Sequence, residues 1–319
     1  MEENVKDLPI IEVRNLTQDY GSGRGVFNVS FKIYKGECFG FLGPNGSGKS
    51  TTIRHIMGFS KPQKGKTFIF NQESFHKYYK ILNRVGYIPG EIALPRGLNG
   101  FEVIKMIQDM QGIYNSEMLN KLLKLFELEP NQLKGDTKRM SLGVKRKLAI
   151  VLSFMSDPEV LILDEPTSGL DPVMQENFIN FIKEEKARGK TILLSSHIFS
   201  EVDATCDRIA IIKDGKIVSE FIANDLKHAT TKYYELTFLN KTNYCKFIKD
   251  VNENNFFKLL NKDENKNYVF VSCEDKNINQ FILLLNDFNI KDFNNVKETL
   301  KDYFMKFYKE DLDYKKGAL

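Results

Sequence analysis

A chain of 319 residues, 42% of them hydrophobic, exceeds one average domain and has enough apolar side chains to build two ordinary cores. Its 46 basic and 42 acidic residues leave a net charge of +4, too small and too dispersed to point to a nucleic-acid partner. No stretch of about eighteen apolar residues and no leader pattern occurs, so the expectation is a soluble chain that neither crosses a membrane nor is secreted.

Strand-like runs at residues 10–13 and 26–33 open the chain, and residues 37–42 read as a short buried strand. Directly after it stands Gly43-Pro44-Asn45-Gly46-Ser47-Gly48-Lys49-Ser50, which satisfies the phosphate-binding pattern G-x-x-x-x-G-K-[ST] at every fixed position. Residues 51–56 read as the following helix, so strand, loop and helix come in the order the motif requires. The three glycines allow a tight turn whose N–H groups face phosphate oxygens, with the positive end of the helix dipole behind them. Lys49 supplies a full charge for the β- and γ-phosphates, Ser50 a hydroxyl ligand for Mg²⁺, and Thr51 a further contact. The loop predicts nucleotide binding.

Strands are expected again at 66–70 and 84–88, and from Gly100 to about Leu148 apolar residues recur at helical spacing. Val103, Ile104, Ile107 and Met110, then Leu119, Leu122, Leu123, Leu125 and Phe126, form a stripe expected to be core. Val160-Leu161-Ile162-Leu163-Asp164-Glu165 is an apolar strand ending in two carboxylates, the Walker B arrangement. Where the chain turns, Asp164 can face a Mg²⁺ shell while Glu165 reaches an attacking water as general base. Strands at 191–194 and 208–212 follow, with a hairpin turn at Lys213-Asp214-Gly215-Lys216, the alternation of an α/β domain with a parallel sheet. Beyond about Ala229 the composition shifts to Asn, Lys, Phe and Tyr, with strands at 233–238 and 268–272 and helices at 278–285 and 297–308. The domains read as 1–228, with a helical subdomain at about 92–158, and a small α+β appendage at 229–319 in which the terminal aromatic stripe reads as core. Cys38, Cys206, Cys245 and Cys273 stand far apart in sequence with no C-x-x-C pair, so neither a zinc site nor a disulfide framework is predicted, and the expected compartment is reducing cytosol.

From residue 10 to 228 these motifs resemble the nucleotide-binding subunits of ATP-binding cassette (ABC) transporters, in order and in spacing. Ser168-Gly169-Leu170-Asp171 looks like the family's D-loop, Ser195-Ser196-His197 like its switch histidine, and Tyr20 occupies the aromatic position that stacks on adenine. The signature Leu-Ser-Gly-Gly-Gln appears as Met140-Ser141-Leu142-Gly143-Val144, keeping Ser141 and Gly143, the positions that approach the γ-phosphate held by a second subunit. Leu142 and Val144 are departures that look like those of bacterial drug, bacitracin and lantibiotic exporters. In Val85-Gly86-Tyr87-Ile88-Pro89-Gly90-Glu91, Gly90 replaces the Q-loop glutamine; Glu91 is either a substitute oxygen for Mg²⁺ or a solvated loop acid.

The resemblance implies a P-loop ABC ATPase core: a parallel sheet, antiparallel strands and an inserted helical subdomain where membrane partners dock. It implies two cassettes, a homodimer or a heterodimer, closing on ATP between the phosphate loop of one and Ser141 and Gly143 of the other, with Asp171 of the D-loop among the nucleotide-binding residues. Ser50 and, through water, Asp164 hold Mg²⁺, Glu165 activates water, and His197 and Lys49 stabilise the transferred phosphoryl group. The implied partner is a separate transmembrane permease, and the implied location is peripheral, on the cytoplasmic face of the membrane. Other readings are a nucleotide-sensing module with little hydrolysis, an importer ATPase, and a soluble ABC ATPase acting on DNA or ribosomes. Neither a long coiled-coil insertion nor tandem cassettes is present for the last.

Overall fold

The computed structural model describes residues 8–227, 231–251, 256–296, 299–305 and 307. The chain divides into two compact units, the first ending at Ala223 and the second beginning at Asn224.

The first unit starts with β1 (Ile11–Asp19), β2 (Gly25–Ile33) and β3 (Cys38–Leu42), followed by α1 (Lys49–Ile56), β4 (Lys64–Ile69), β5 (Gln72–Glu73), α2 (Ser74–Ile81) and β6 (Val85–Ile88). A helical stretch comes next: α3 (Gly100–Gln111), α4 (Ser116–Leu125), α5 (Pro130–Leu133) and α6 (Leu142–Phe154). The alternation then resumes with β7 (Val160–Asp164), α7 (Pro172–Ala187), β8 (Thr191–Ser196), α8 (Phe199–Thr205), β9 (Arg208–Lys213) and β10 (Lys216–Ile222), and the short α9 (Ala223–Lys227) begins at the boundary between the units. β1 pairs antiparallel with β2 and β4 in a small sheet of order β2-β1-β4-β5. The central sheet runs β10-β9-β3-β8-β7-β6. It is parallel except at β10, which the hairpin predicted at residues 213–216 folds back onto β9.

β3, β7 and β8 are buried along their whole length, as near-continuous apolar strands covered on both faces must be. Phe31 of β2 stacks on Phe39 of β3 with centroids 5.1 Å apart, packing the antiparallel layer against the parallel one. The register aligns the strand ends: Leu42 opposes Ser196, Asp164 opposes Ser195, and Ile88 opposes Leu163. The loops after β3, β6, β7 and β8, which carry the phosphate loop, Glu91, Glu165 and His197, therefore leave the same carboxyl edge of one sheet, where open α/β sheets bind ligands.

The predicted core stripe of the helical stretch holds at Val103, Ile104, Leu122 and Phe126, which are buried, and fails at Met110, which is 74% exposed. Met110 is near the end of α3, where the apolar pattern runs past the face that packs. Two cysteines that are distant in sequence are neighbours in space: the Sγ atoms of Cys38 and Cys206 lie 3.7 Å apart inside the first unit, closer than their spacing implied yet well beyond disulfide length.

The second unit contains β11 (Thr231–Phe238), α10 (Lys241–Val251), β12 (Phe257–Asp263), β13 (Tyr268–Glu274), α11 (Ile278–Leu285) and β14 (Ile290–Val296). Its antiparallel sheet runs β12-β13-β11-β14, the split β-α-β pattern of ferredoxin-like folds. The core is largely aromatic: Phe238, Phe247 and Phe281 are fully buried among Tyr234, Phe257 and Phe288. Of the helix expected at 297–308, residues 300–305 are helical with Leu300 and Phe304 buried, while Lys297, Glu298, Lys306 and Tyr308 lie outside the described residues.

Candidate active site

Gly43 follows β3 so closely against β9 that a Cβ on it would lie 2.5 Å from the Ile212 carbonyl oxygen and 2.6 Å from Ser47 Oγ. Gly48, at the entry to α1, has φ 109°, and a Cβ there would meet Val26 Cγ1 at 2.7 Å. Both glycines are thus required by the fold, whereas Gly46, at φ 82°, faces open space and is required by its backbone angle alone. Pro44 contributes its carbonyl, which accepts the Ser47 N–H at 3.2 Å and tightens the loop.

Lys49 is 4% exposed and its ammonium donates to the carbonyls of Gly43 at 2.7 Å and Pro44 at 3.1 Å. The same Nζ lies 3.1 Å from Glu165 Oε1, and the other oxygen of Glu165 lies 3.4 Å from His197 Nδ1. Glu165 has φ 48°, a left-handed angle uncommon for a side chain other than glycine, and its N–H donates to the Ser195 carbonyl at 3.0 Å. This turn separates the two carboxylates. Asp164 stays almost fully buried, accepting the Ser195 hydroxyl at 2.5 Å, while Glu165 projects between lysine and histidine.

Around this group is a cavity of about 590 Å³. Among the residues named from sequence it is lined by Tyr20, Asn45, Gly46, Gly48, Lys49, Ser50, Thr51, Glu91, Asp164 and Glu165. Tyr20 is 60% exposed, so its ring is free to meet a planar ligand. Six further lining residues had no cavity role assigned from the sequence: Arg24, Gly25, Arg54, Tyr87, Pro89 and Gly90, the last standing as a wall rather than a gap. The signal for Arg54 was its place on the helix that starts at Lys49; Arg24 and Tyr87 had none beyond adjacency to a motif. Tyr87 is pushed up to about 12 by burial and by the negative charge of Asp164, so it remains a neutral phenol at neutral pH.

Ser141, Gly143 and Asp171 do not line this cavity. Ser141 caps α6 by accepting the Val144 N–H at 3.3 Å, and Asp171 caps α7 by accepting the Met174 N–H at 3.0 Å. The two segments meet each other instead: a Cβ on Gly169 would lie 3.0 Å from Leu142 Cδ2, and one on Gly143 3.5 Å from the Gly169 carbonyl. Leu142 is exposed.

The residues present fit a magnesium nucleotide. Ser47 Oγ is buried without a protein partner at the centre of the loop, and hydroxyl, carboxylate and ammonium groups converge on one cavity. No three His, Cys, Asp or Glu side chains form a metal cage among the described residues, and Mg²⁺ is commonly held by one or two side chains together with substrate phosphates.

Residues 26–168 match the family model described as ABC transporter. The bacitracin transport ATP-binding protein BcrA of Bacillus licheniformis is 36% identical over 227 residues, covering 71% of this chain and 74% of that one. The Nod factor export ATP-binding protein I of Sinorhizobium fredii is 34% identical over 212 residues, covering 66% of this chain and 62% of that one. Among solved structures, a dimeric ATP-binding cassette in a post-hydrolysis state with ADP and Pi aligns with TM-score 0.60 and 25% identity, over 67% of this chain and 98% of that one. A phosphate loop, paired carboxylates and a histidine assembled on one sheet edge, together with relatives of this extent, establish that the chain belongs to the ATP-binding subunits of ABC transporters.

Proposed function

We propose that this chain is the Mg²⁺-dependent ATPase subunit of an ABC exporter, acting as one of two paired cassettes beside a separate transmembrane permease on the cytoplasmic face of the membrane. The observation that carries the reading is the placement of Glu165 between Lys49 and His197 at the wall of a cavity with Tyr20 on its border. Similarity to proteins named for bacitracin transport and Nod factor export supports the direction of transport. No helix among the described residues is long and apolar enough to cross a membrane, which leaves the transport pathway to a partner.

Tyr20 stacks on the base, the loop amides and Lys49 hold the phosphates, and Ser50 and Asp164, with Glu91 in reach of the same cavity, hold Mg²⁺. When bound, Mg²⁺ neutralises charge on the β- and γ-phosphates. Glu165 orients a water and takes its proton, while His197 fixes that carboxylate from its other side. Ser141 and Gly143, free of their own chain's cavity, meet the nucleotide of a second cassette, identical or related.

Glu165→Gln keeps size and hydrogen bonding but removes the proton acceptor. Phosphate release should fall at least about a hundredfold with ATP binding retained, and the variant should collect as an ATP-bound dimer on size exclusion. Wild-type turnover in the variant would remove Glu165 from its role; no Mg²⁺-dependent phosphate release from the wild-type protein would refute the ATPase assignment. Loss of turnover without a dimer would point to a different cassette as the partner.

A further inference from the structure

The loop after β6 is held by another element. Arg146, 2% exposed on α6, donates from Nη1 to the Pro89 carbonyl at 3.0 Å and from Nη2 to the Gly90 carbonyl at 2.8 Å. Two turns further along the same face, Ser153 Oγ donates to the Tyr87 carbonyl at 2.6 Å. Helix and strand can approach this closely because Gly86 lacks a side chain; a Cβ on it would stand 2.4 Å from the Ser153 carbonyl oxygen. One helix thus collects the outward carbonyls along the exit of β6.

Gly90 makes that grip necessary. A Cβ at this position would lie 3.1 Å from Asp164 Oδ2, so the backbone passes directly beside the Walker B aspartate. The loop has no side chain of its own at Gly90 with which to fix that approach. Burying a guanidinium is costly unless its donors are paired, and here two of its nitrogens are paired with this loop while Nε stays buried without a partner. Burial lowers its pKa, and the nearby Asp164 and Glu165 carboxylates oppose that effect. Its neighbours Lys145 and Lys147 in the same basic run are only half-buried.

We propose that Arg146 is a positioning residue that fastens the loop from Pro89 to Glu91 onto the helix beginning at Ser141, so that whatever the N-terminal end of α6 engages sets the position of Glu91 and of the backbone beside Asp164. The link is short: Arg146 is about one and a half helical turns from Ser141, roughly 7.5 Å along the axis at about 1.5 Å per residue. A packed helix moves as a unit, so a displacement at its capped end arrives at Pro89 and Gly90 undiminished. The functional half of this inference rests on the ATPase reading above; the mechanical half does not.

The test uses the full-length protein and the variants R146K and R146Q. Hydrogen–deuterium exchange is followed in peptides covering residues 87–91, without nucleotide and with ATP at zero and saturating Mg²⁺, alongside steady-state phosphate release. Arg146→Gln should raise nucleotide-free exchange in this segment about tenfold or more, because the carbonyl anchors are lost. It should lower kcat at least about tenfold and raise the Mg²⁺ concentration for half-maximal rate, while KM for ATP changes less than about threefold. Arg146→Lys, which keeps the charge and one donor direction, should recover part of each effect, and it carries the test if the glutamine variant does not fold. Unchanged exchange in 87–91 with unchanged kcat in both variants overturns the proposal, as does a loss of kcat matched by an equal loss of affinity for a fluorescent ATP analogue. A wild-type protein without ATPase activity refutes the functional reading, while the nucleotide-free exchange still decides the tether.

Discussion

Lys49 spends its ammonium on three oxygens, the carbonyls of Gly43 and Pro44 and the carboxylate of Glu165. Replacing it with alanine removes the only full charge inside the phosphate loop and leaves Glu165 with His197 alone, so ATP affinity should fall at least about a hundredfold with little change in fold. A titration with a fluorescent ATP analogue reads this, and near-normal affinity would contradict the site. Glu201 offers a second residue-scale prediction. It is 1% exposed on α8 and accepts the Ser196 hydroxyl at 2.5 Å. Burial raises its pKa from 4.5 to about 7, with the Ser196 and Thr167 hydroxyls opposing and the Glu165 charge adding to the rise. Because the folded value lies above the unfolded one, the native state binds more protons, and its contribution to stability is present below pH 4.5 and lost as pH rises through about 7. Glu201→Gln should flatten that part of the stability curve and stabilise the protein at pH 8, by at most roughly 3.5 kcal/mol on the scale of about 1.4 kcal/mol per pKa unit. Denaturant melts at pH 5 and pH 8 measure the difference; identical pH slopes in both proteins would refute it.

β3 and the loop it feeds make the clearest case at the scale of elements. Gly43→Ala would place a Cβ 2.5 Å from the Ile212 carbonyl of β9, so either the strand pair or the loop must move. The expected cost is about 1–3 kcal/mol, visible as a lower Tm, together with weaker ATP binding; an unchanged Tm would mean the loop relaxes without strain. Local pattern made β3, β7, β8 and the phosphate loop readable, because fully buried parallel strands are runs of apolar residues and the loop has fixed spacing. Arg146 was not readable that way. The basic run from Lys145 to Lys147 looks like a solvated face, and only its phase, four residues before Ile150 and seven before Ser153, places Arg146 on the buried side. In the second unit, β14 was missed because its exposed Lys291, Asp292, Asn294 and Asn295 give no alternation, while α10 did carry a signal in Tyr244 and Phe247, spaced three apart. The proximity of Cys38 and Cys206 depends on a tertiary contact between β3 and the end of α8, which no sequence spacing encodes.

Considered whole, the chain keeps its phosphate chemistry in one unit. Every residue lining the 590 Å³ cavity precedes Ala223, and the second unit has its own sheet and aromatic core. A protein cut after His228 should therefore fold and bind ATP with affinity within a few-fold of the full chain; one that folds but does not bind would place part of the site in the second unit. The cysteines add a property that their sequence positions hide. Cys38 and Cys206 are buried in the first unit, Cys273 is buried in the second, and Cys245 is exposed. A thiol reagent thus meets three clocks: Cys245 is labelled at once, Cys273 only when the ferredoxin-like unit opens, and the Cys38–Cys206 pair only when the cassette opens. The native chain carries separate reporters for the breathing of its two halves, and mass-resolved alkylation can time each without adding a probe.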